Sequence, residues 1–195
     1  MTLTRVVLVR HGRTRAPAGV CVGALDVDLD DEGAAGSTAL GERLRAVYPD
    51  ALCVSSDLLR CRRLAALVAD DVRVDRRLRE QSFGAWEGRA WEVIGAEDPQ
   101  RRDAVWSDYA HTAAPGGETL ADVQARALVA LGEATACAAG RPLVVVTHAG
   151  VIRALLAAWL HIPLNQSLRL APDLLGMTEV DLHTEGAVLR SFNLR

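Results

Sequence analysis

The run Val6-Val7-Leu8-Val9, followed at once by Arg10-His11-Gly12-Arg13-Thr14, constrains this chain more than any other stretch. Four consecutive apolar residues, three of them β-branched, suit a strand covered on both faces. The strand then delivers an arginine and a histidine to a glycine turn. Ligand sites in open α/β sheets form at the carboxyl ends of the strands, so Arg10 and His11 are expected at the lip of one. Alone, Arg-His-Gly is equally a surface turn. The run Leu143-Val144-Val145-Val146-Thr147-His148-Ala149-Gly150 repeats the logic: a buried strand, a histidine, a glycine, then a helix. Two such strands predict two imidazoles in one cleft.

With 195 residues, half of them hydrophobic, the chain is expected to form one domain over 1–195 with a sizeable core. A net charge of −3 argues against a general nucleic-acid binder. All the basic side chains apart from histidine are arginines, so no single arginine is informative for not being lysine. Cys21, Cys53, Cys61 and Cys137 form no C-x-x-C pair and no zinc spacing, and read as reduced, mostly buried thiols. No apolar run approaches the roughly 20 residues needed to span a bilayer, and residues 1–5 lack a signal-peptide layout. A cytoplasmic setting, without membrane or nucleic-acid partners, is expected.

Residues 13–30 read as a loop across the mouth of the site. A helix is predicted from about Asp31 to Val47, with Gly33, Gly36, Leu40, Leu44 and Val47 on one face and the small residues letting it lie close to the sheet. A short strand follows at Ala51–Ser55. Ser56 or Asp57 can cap the next helix, whose apolar face is Cys61, Leu64, Ala65 and Val68. Arg60 falls in its first turn, at the positive end of the helix dipole, an unfavourable place for a cation unless an anion sits there too. Val72–Val74 is a candidate strand. Leu78 to Gly88 carries aromatics, glycines, Glu80 and Glu87, and reads as a structured loop.

Arg89 to His111 reads as one or two short helices forming a cap, the whole insertion covering about 86–114. Trp91, Trp106 and Tyr109 are expected to form the cap's own small core, with a ring-bearing ligand as the alternative. Arg101 and Arg102 read as a solvated face rather than an anion contact. Thr119 with Asp122 approximates a capping box for a helix reaching about Ala139. A further helix spans Gly150 to Leu160, and runs at 177–182 and 187–192 close the chain as a hairpin or edge strands. Alternating strands and helices make the fold class α/β.

No G-x-S-x-G elbow, G-x-x-x-x-G-K loop or G-x-G-x-x-G fingerprint is present. Arg10 and Arg60 would oppose a cation held by His11 and His148, and no acidic pair accompanies them. Phosphate chemistry without a metal or other cofactor fits better. Two guanidiniums and a second imidazolium can neutralise a phosphoryl group. A neutral imidazole can attack phosphorus, and a carboxylic acid can protonate the leaving oxygen and then deprotonate water.

These residues resemble the histidine phosphatase superfamily, which includes cofactor-dependent phosphoglycerate mutases and small bacterial phosphatases. The resemblance rests on Arg10-His11-Gly12 with Thr14; Gly23, Asp26-Val27-Asp28-Leu29 and Gly33; Ser55-Ser56-Asp57-Leu58-Leu59-Arg60; Leu78-Arg79-Glu80 through Gly84-Ala85-Trp86-Glu87-Gly88; Gly116-Gly117-Glu118-Thr119; and Thr147-His148-Ala149-Gly150 with Arg153. It implies a single three-layer domain, with a mostly parallel central sheet, helices on both faces and a short helical cap. It further implies a metal-independent phosphomonoesterase of small phosphate esters. His11 would be phosphorylated. Arg10, Arg60 and His148 would form the phosphate pocket, with contacts from Thr14, Gly23 and Ala149. Glu80, in preference to Glu87, would be the general acid and base.

Arg13, Pro17, Asp28 and Leu64-Ala65 depart from the family pattern without removing a catalytic group, although Pro17, where the family often has asparagine, puts in question one phosphate contact and the carry-over of a specific substrate. The short chain and the Trp-Glu-Gly segment resemble α-ribazole phosphatases. The alternatives are a phosphoglycerate mutase-type phosphoryl transfer and an inactive phospho-ligand binding module. A homodimer is left open.

Overall fold

A computed structural model describes residues 3–195, which form a single α/β domain. In chain order its main elements are β1 (Thr4–Arg10), α1 (Asp31–Val47), β2 (Leu52–Ser55), α2 (Leu59–Val68), β3 (Val72–Val74), α3 (Trp91–Glu97) and α4 (Pro99–Ser107). They are followed by α5 (Leu120–Ala138), β4 (Leu143–Thr147), α6 (Ala149–Trp159), β5 (Met177–His183) and β6 (Gly186–Leu194). The six strands form one sheet in the order β3-β2-β4-β1-β5-β6. Pairings from β3 through β1 are parallel, and only β5 runs against the rest.

Strand periodicity divides the interior into two cores. Val6, Leu8, Val54, Leu143 and Val145 point to one face and pack with Leu120, Val123, Ala127, Ile152 and Leu155 of α5 and α6. Val7, Val9, Cys53, Val144 and Val146 point to the other and pack with Leu40, Leu44, Leu64 and Ala65 of α1 and α2. Both β1 and β4 feed both cores, which is why their sequences are continuous apolar runs.

Register fixes the site. Val9 pairs with Val146 and Arg10 with Thr147, and the His11 amide donates to the Thr147 carbonyl at 3.1 Å. His11 and His148 therefore leave the sheet side by side. Ser55 of β2 also pairs with Val146, which brings Ser56 to the same rim.

The inward face of α1 differs from expectation. Gly33, Ser37, Leu40, Gly41 and Leu44 are buried, while Val47 is exposed. The close approach made by Gly33 is to the site loop rather than the sheet: a Cβ there would lie 2.0 Å from the Arg13 carbonyl oxygen. The capping of α2 also differs. Its Leu59 amide donates to the Asp26 carboxylate at 2.7 Å. Asp57 is instead engaged by Arg79 at 2.7 and 2.6 Å. The capping box on α5 is present, with Thr119 Oγ1 accepting from the Asp122 amide. Among the described residues no helix is long and apolar enough to cross a membrane.

Candidate active site

The carboxyl ends of β1 and β4, the first turn of α2 and the loop before Gln81 converge on a cleft of about 820 Å³. Arg10, His11, Thr14, Gly23, Arg60, Glu80 and Ala149 all line it. His148 lies beneath, fully buried, its ring centroid 5.1 Å from that of His11.

The hydrogen bonds assign the state of each imidazole. His11 Nδ1 lies 2.7 Å from the Gly12 carbonyl oxygen, which can only accept, so Nδ1 carries the proton and Nε2 keeps its lone pair. Arg60 Nε donates to His148 Nδ1 at 3.3 Å. His148 Nε2 therefore bears the hydrogen, and it meets Ser56 Oγ at 2.9 Å. Burial foremost, then the Arg60 charge, push the His11 pKa down to about 3. Burial and then its charged neighbours hold His148 well below the ordinary imidazole value. The expected second imidazolium is thus a neutral imidazole, because its partner is an arginine rather than a carboxylate.

Arg60 is almost wholly buried. Its Nη1 donates to the Leu25 carbonyl at 2.6 Å and its Nη2 to the Gly23 carbonyl at 2.8 Å. Three of its five N–H groups are spent on positioning, which leaves two for a ligand. Gly23 serves this contact in a left-handed conformation (φ +51°), and a Cβ there would lie 2.4 Å from Glu87 Oε1. Arg10 is held by one bond, Nη1 to the Pro172 carbonyl at 2.7 Å, and its buried Nε has no partner.

The two candidate glutamates differ in place. Glu80 borders the cleft and accepts from the Gly150 amide, at 3.1 Å to Oε1, and from the Gln81 amide at 3.0 Å. Glu87 does not line the cleft. Its Oε1 accepts from the Ala24 and Phe83 amides at 2.9 Å each, stapling two loops.

Several contributors are given no site role by the sequence reading. Ser56 orients His148. Arg126 pairs with Glu118 at 2.7 Å and donates to the Glu80 carbonyl at 3.2 Å, and so braces the Glu80 loop from α5. Arg13, by contrast, is spent on Asp30 and on Glu32 at 2.8 Å. Arg101 and Arg102 do not line the cleft, and Arg102 pairs with Asp103. Phe83, Trp91, Trp106 and Tyr109 form a continuous line of rings, Trp106 and Tyr109 stacked at 5.4 Å. They are at once a small core and one wall of the cleft. Among the described residues no group of three His, Cys, Asp or Glu side chains is placed to hold a metal ion.

A family model for the histidine phosphatase superfamily (branch 1) matches residues 6–195. The chain belongs to this superfamily. It is 38% identical over 177 residues to a glucosyl-3-phosphoglycerate phosphatase of Mycolicibacterium vanbaalenii, covering 85% of this chain and 78% of that one. The solved structure of a mycobacterial glucosyl-3-phosphoglycerate phosphatase superposes with a TM-score of 0.89 at 33% identity, over 99% of this chain and 100% of the other. A putative α-ribazole-5'-phosphate phosphatase of Escherichia coli superposes with a TM-score of 0.88 at 26% identity, over 98% and 97%. The superfamily, the fold and the phosphatase-branch likeness expected from the motifs are thus all found.

The neutral imidazoles make stability depend on pH. In the unfolded chain both histidines protonate near pH 6.5, whereas in the folded chain both resist protonation. Protons therefore favour the unfolded state below pH 6.5. For His11 the loss continues until pH falls to about 3. Between pH 7 and pH 5 each histidine removes about 2 kcal/mol of stability. Thermal denaturation across that window is expected to show Tm falling with pH, and His11→Gln is expected to flatten the fall. Parallel profiles for the two proteins would contradict this.

Proposed function

We propose that the chain is a metal-independent phosphomonoesterase that hydrolyses a small phosphorylated metabolite through a phosphohistidine on His11. The observation that carries this reading is the His11 tautomer. Its Nδ1–H is committed to the Gly12 carbonyl, which leaves a neutral, unprotonated Nε2 at the floor of a cleft flanked by two guanidiniums. Phosphatases among the relatives support the same chemistry.

In the first step Nε2 attacks phosphorus and the ester P–O bond breaks. The departing alkoxide takes a proton from the Glu80 carboxyl group. In the second, the Glu80 carboxylate takes a proton from water, the water oxygen attacks phosphorus, and the P–Nε2 bond breaks to free inorganic phosphate. Arg10, through the Nη N–H groups that its bond to Pro172 leaves free, and Arg60, through its two uncommitted N–H groups, hold the equatorial oxygens as charge builds on them. His148 holds Arg60 in place. Helices α3 and α4 act as the cap over the leaving group. The buried thiols Cys21, Cys53 and Cys61 suit a reducing, cytoplasmic setting.

The test is a panel of phosphate esters assayed with EDTA, including glucosyl-3-phosphoglycerate and α-ribazole phosphate. Phosphate release at an undiminished rate is expected. Turnover lost to EDTA and restored by a divalent cation would overturn the metal-independent reading.

A further inference from the structure

We infer that Arg153 is a specificity-determining residue that binds a carboxylate on the alcohol side of the phosphate ester. This rests on the phosphatase reading above and adds a second anion to the substrate. Arg153 lies on α6 one turn beyond Ala149 and Gly150, and the three line the cleft together. Its Nε donates to the Leu170 carbonyl at 2.8 Å. Two residues on, the Pro172 carbonyl holds Arg10 Nη1. Alternate carbonyls of one segment thus fix two guanidiniums on the same cleft wall.

The other cleft arginines are accounted for. Arg10 and Arg60 serve the phosphoryl group, and Arg13 is neutralised by Asp30 and Glu32. Arg153 makes no ion pair among the described residues, and four of its five N–H groups are uncommitted. Its charge also contributes, behind burial, to lowering the Arg10 pKa. A second negative group on the ligand would relieve that repulsion. The charge count selects its kind: the phosphoryl dianion is met by two guanidiniums, and the outer position has one. A single planar guanidinium matches a carboxylate monoanion in a two-pronged contact, whereas a second phosphate dianion would lack a second cation.

The pair 3-phosphoglycerate and glycerol 3-phosphate tests this directly, because they differ only in a carboxylate against a hydroxymethyl group. The wild type is expected to favour 3-phosphoglycerate in kcat/KM by 10- to 100-fold, the scale of one charge-assisted contact. Arg153→Gln should bring the ratio close to one by raising KM for 3-phosphoglycerate, and Arg153→Lys should retain part of it. A wild-type ratio near one overturns the inference, however the variants fold. Equal losses on both substrates in Arg153→Gln would also overturn it, since they would mark a general structural role. Failure of the wild type on both esters while it hydrolyses others of the panel would likewise overturn the inference, whereas failure on the whole panel, with no phosphate trapped on His11, would instead overturn the phosphatase reading.

Discussion

Replacing His11 with alanine is expected to lower kcat by at least about 10⁴-fold, because it removes the proposed nucleophile. The remaining pocket would still bind phosphate esters, since Arg10, Arg60 and the cleft walls do not depend on the imidazole for their anchoring: Arg10 is held by Pro172, and Arg60 by Gly23, Leu25 and His148. Kinetics with a good leaving group such as p-nitrophenol separate this from a general acid defect, because a poor acid is bypassed there and a missing nucleophile is not. Residual turnover within about tenfold of wild type would mean that water attacks phosphorus directly, and that His11 is only a phosphate ligand.

Arg60→Ala is expected to damage stability and catalysis together. The side chain is 1% exposed and is the shared donor to two loop carbonyls and to His148. Its loss leaves three acceptors without their donor and opens a cavity beneath the cleft. Unsatisfied buried groups and lost packing together cost about 3 kcal/mol, which for a chain of this size lowers Tm by roughly 6–12 °C. The phosphoryl group loses two charge-assisted contacts, so kcat/KM should fall by about 10³-fold or more. Arg60→Lys should recover little, because one ammonium cannot reach Gly23, Leu25 and His148 at once. Calorimetry and kinetics on both variants check this. A lysine variant with wild-type Tm and activity would contradict the account of Arg60 as a positioned fork.

How much of this was legible in the sequence follows from the range of each interaction. The strands β1 and β4 were readable because burial on both faces leaves an unbroken apolar run. The bounds of α1 and the Thr119 capping box were readable because their signals lie within one helical turn. Arg10, His11, Arg60, Glu80 and His148 were readable as one cleft through the Arg-His-Gly and Thr-His-Ala-Gly strand ends, the dipole position of Arg60 and the superfamily motifs. The partners that set their states were not. Ser56 meets His148 across 92 residues, Arg126 reaches Glu80 across 46, and Leu59 is capped by Asp26 across 33. Such pairings arise from sheet register for Ser56 and from loop and helix packing for Asp26 and Arg126, neither of which spacing along the chain encodes. The charge of His148 was misjudged for the same reason: the burial that chiefly opposes its protonation, and the Arg60 guanidinium that adds to it, arise only in the folded chain. Val47 shows the limit of periodicity, since it completes the α1 stripe in sequence yet lies past the end of the surface the helix covers.

The central claim is a covalent bond between His11 Nε2 and phosphorus. Rapid acid-free quenching of the wild type with a ³²P-labelled phosphate ester, in EDTA, tests it most directly. The account predicts label on the protein within one turnover, stable to alkali, labile to acid, mapping to the peptide that contains His11 and absent from His11→Ala. Turnover without label, or label that persists in His11→Ala, would contradict it.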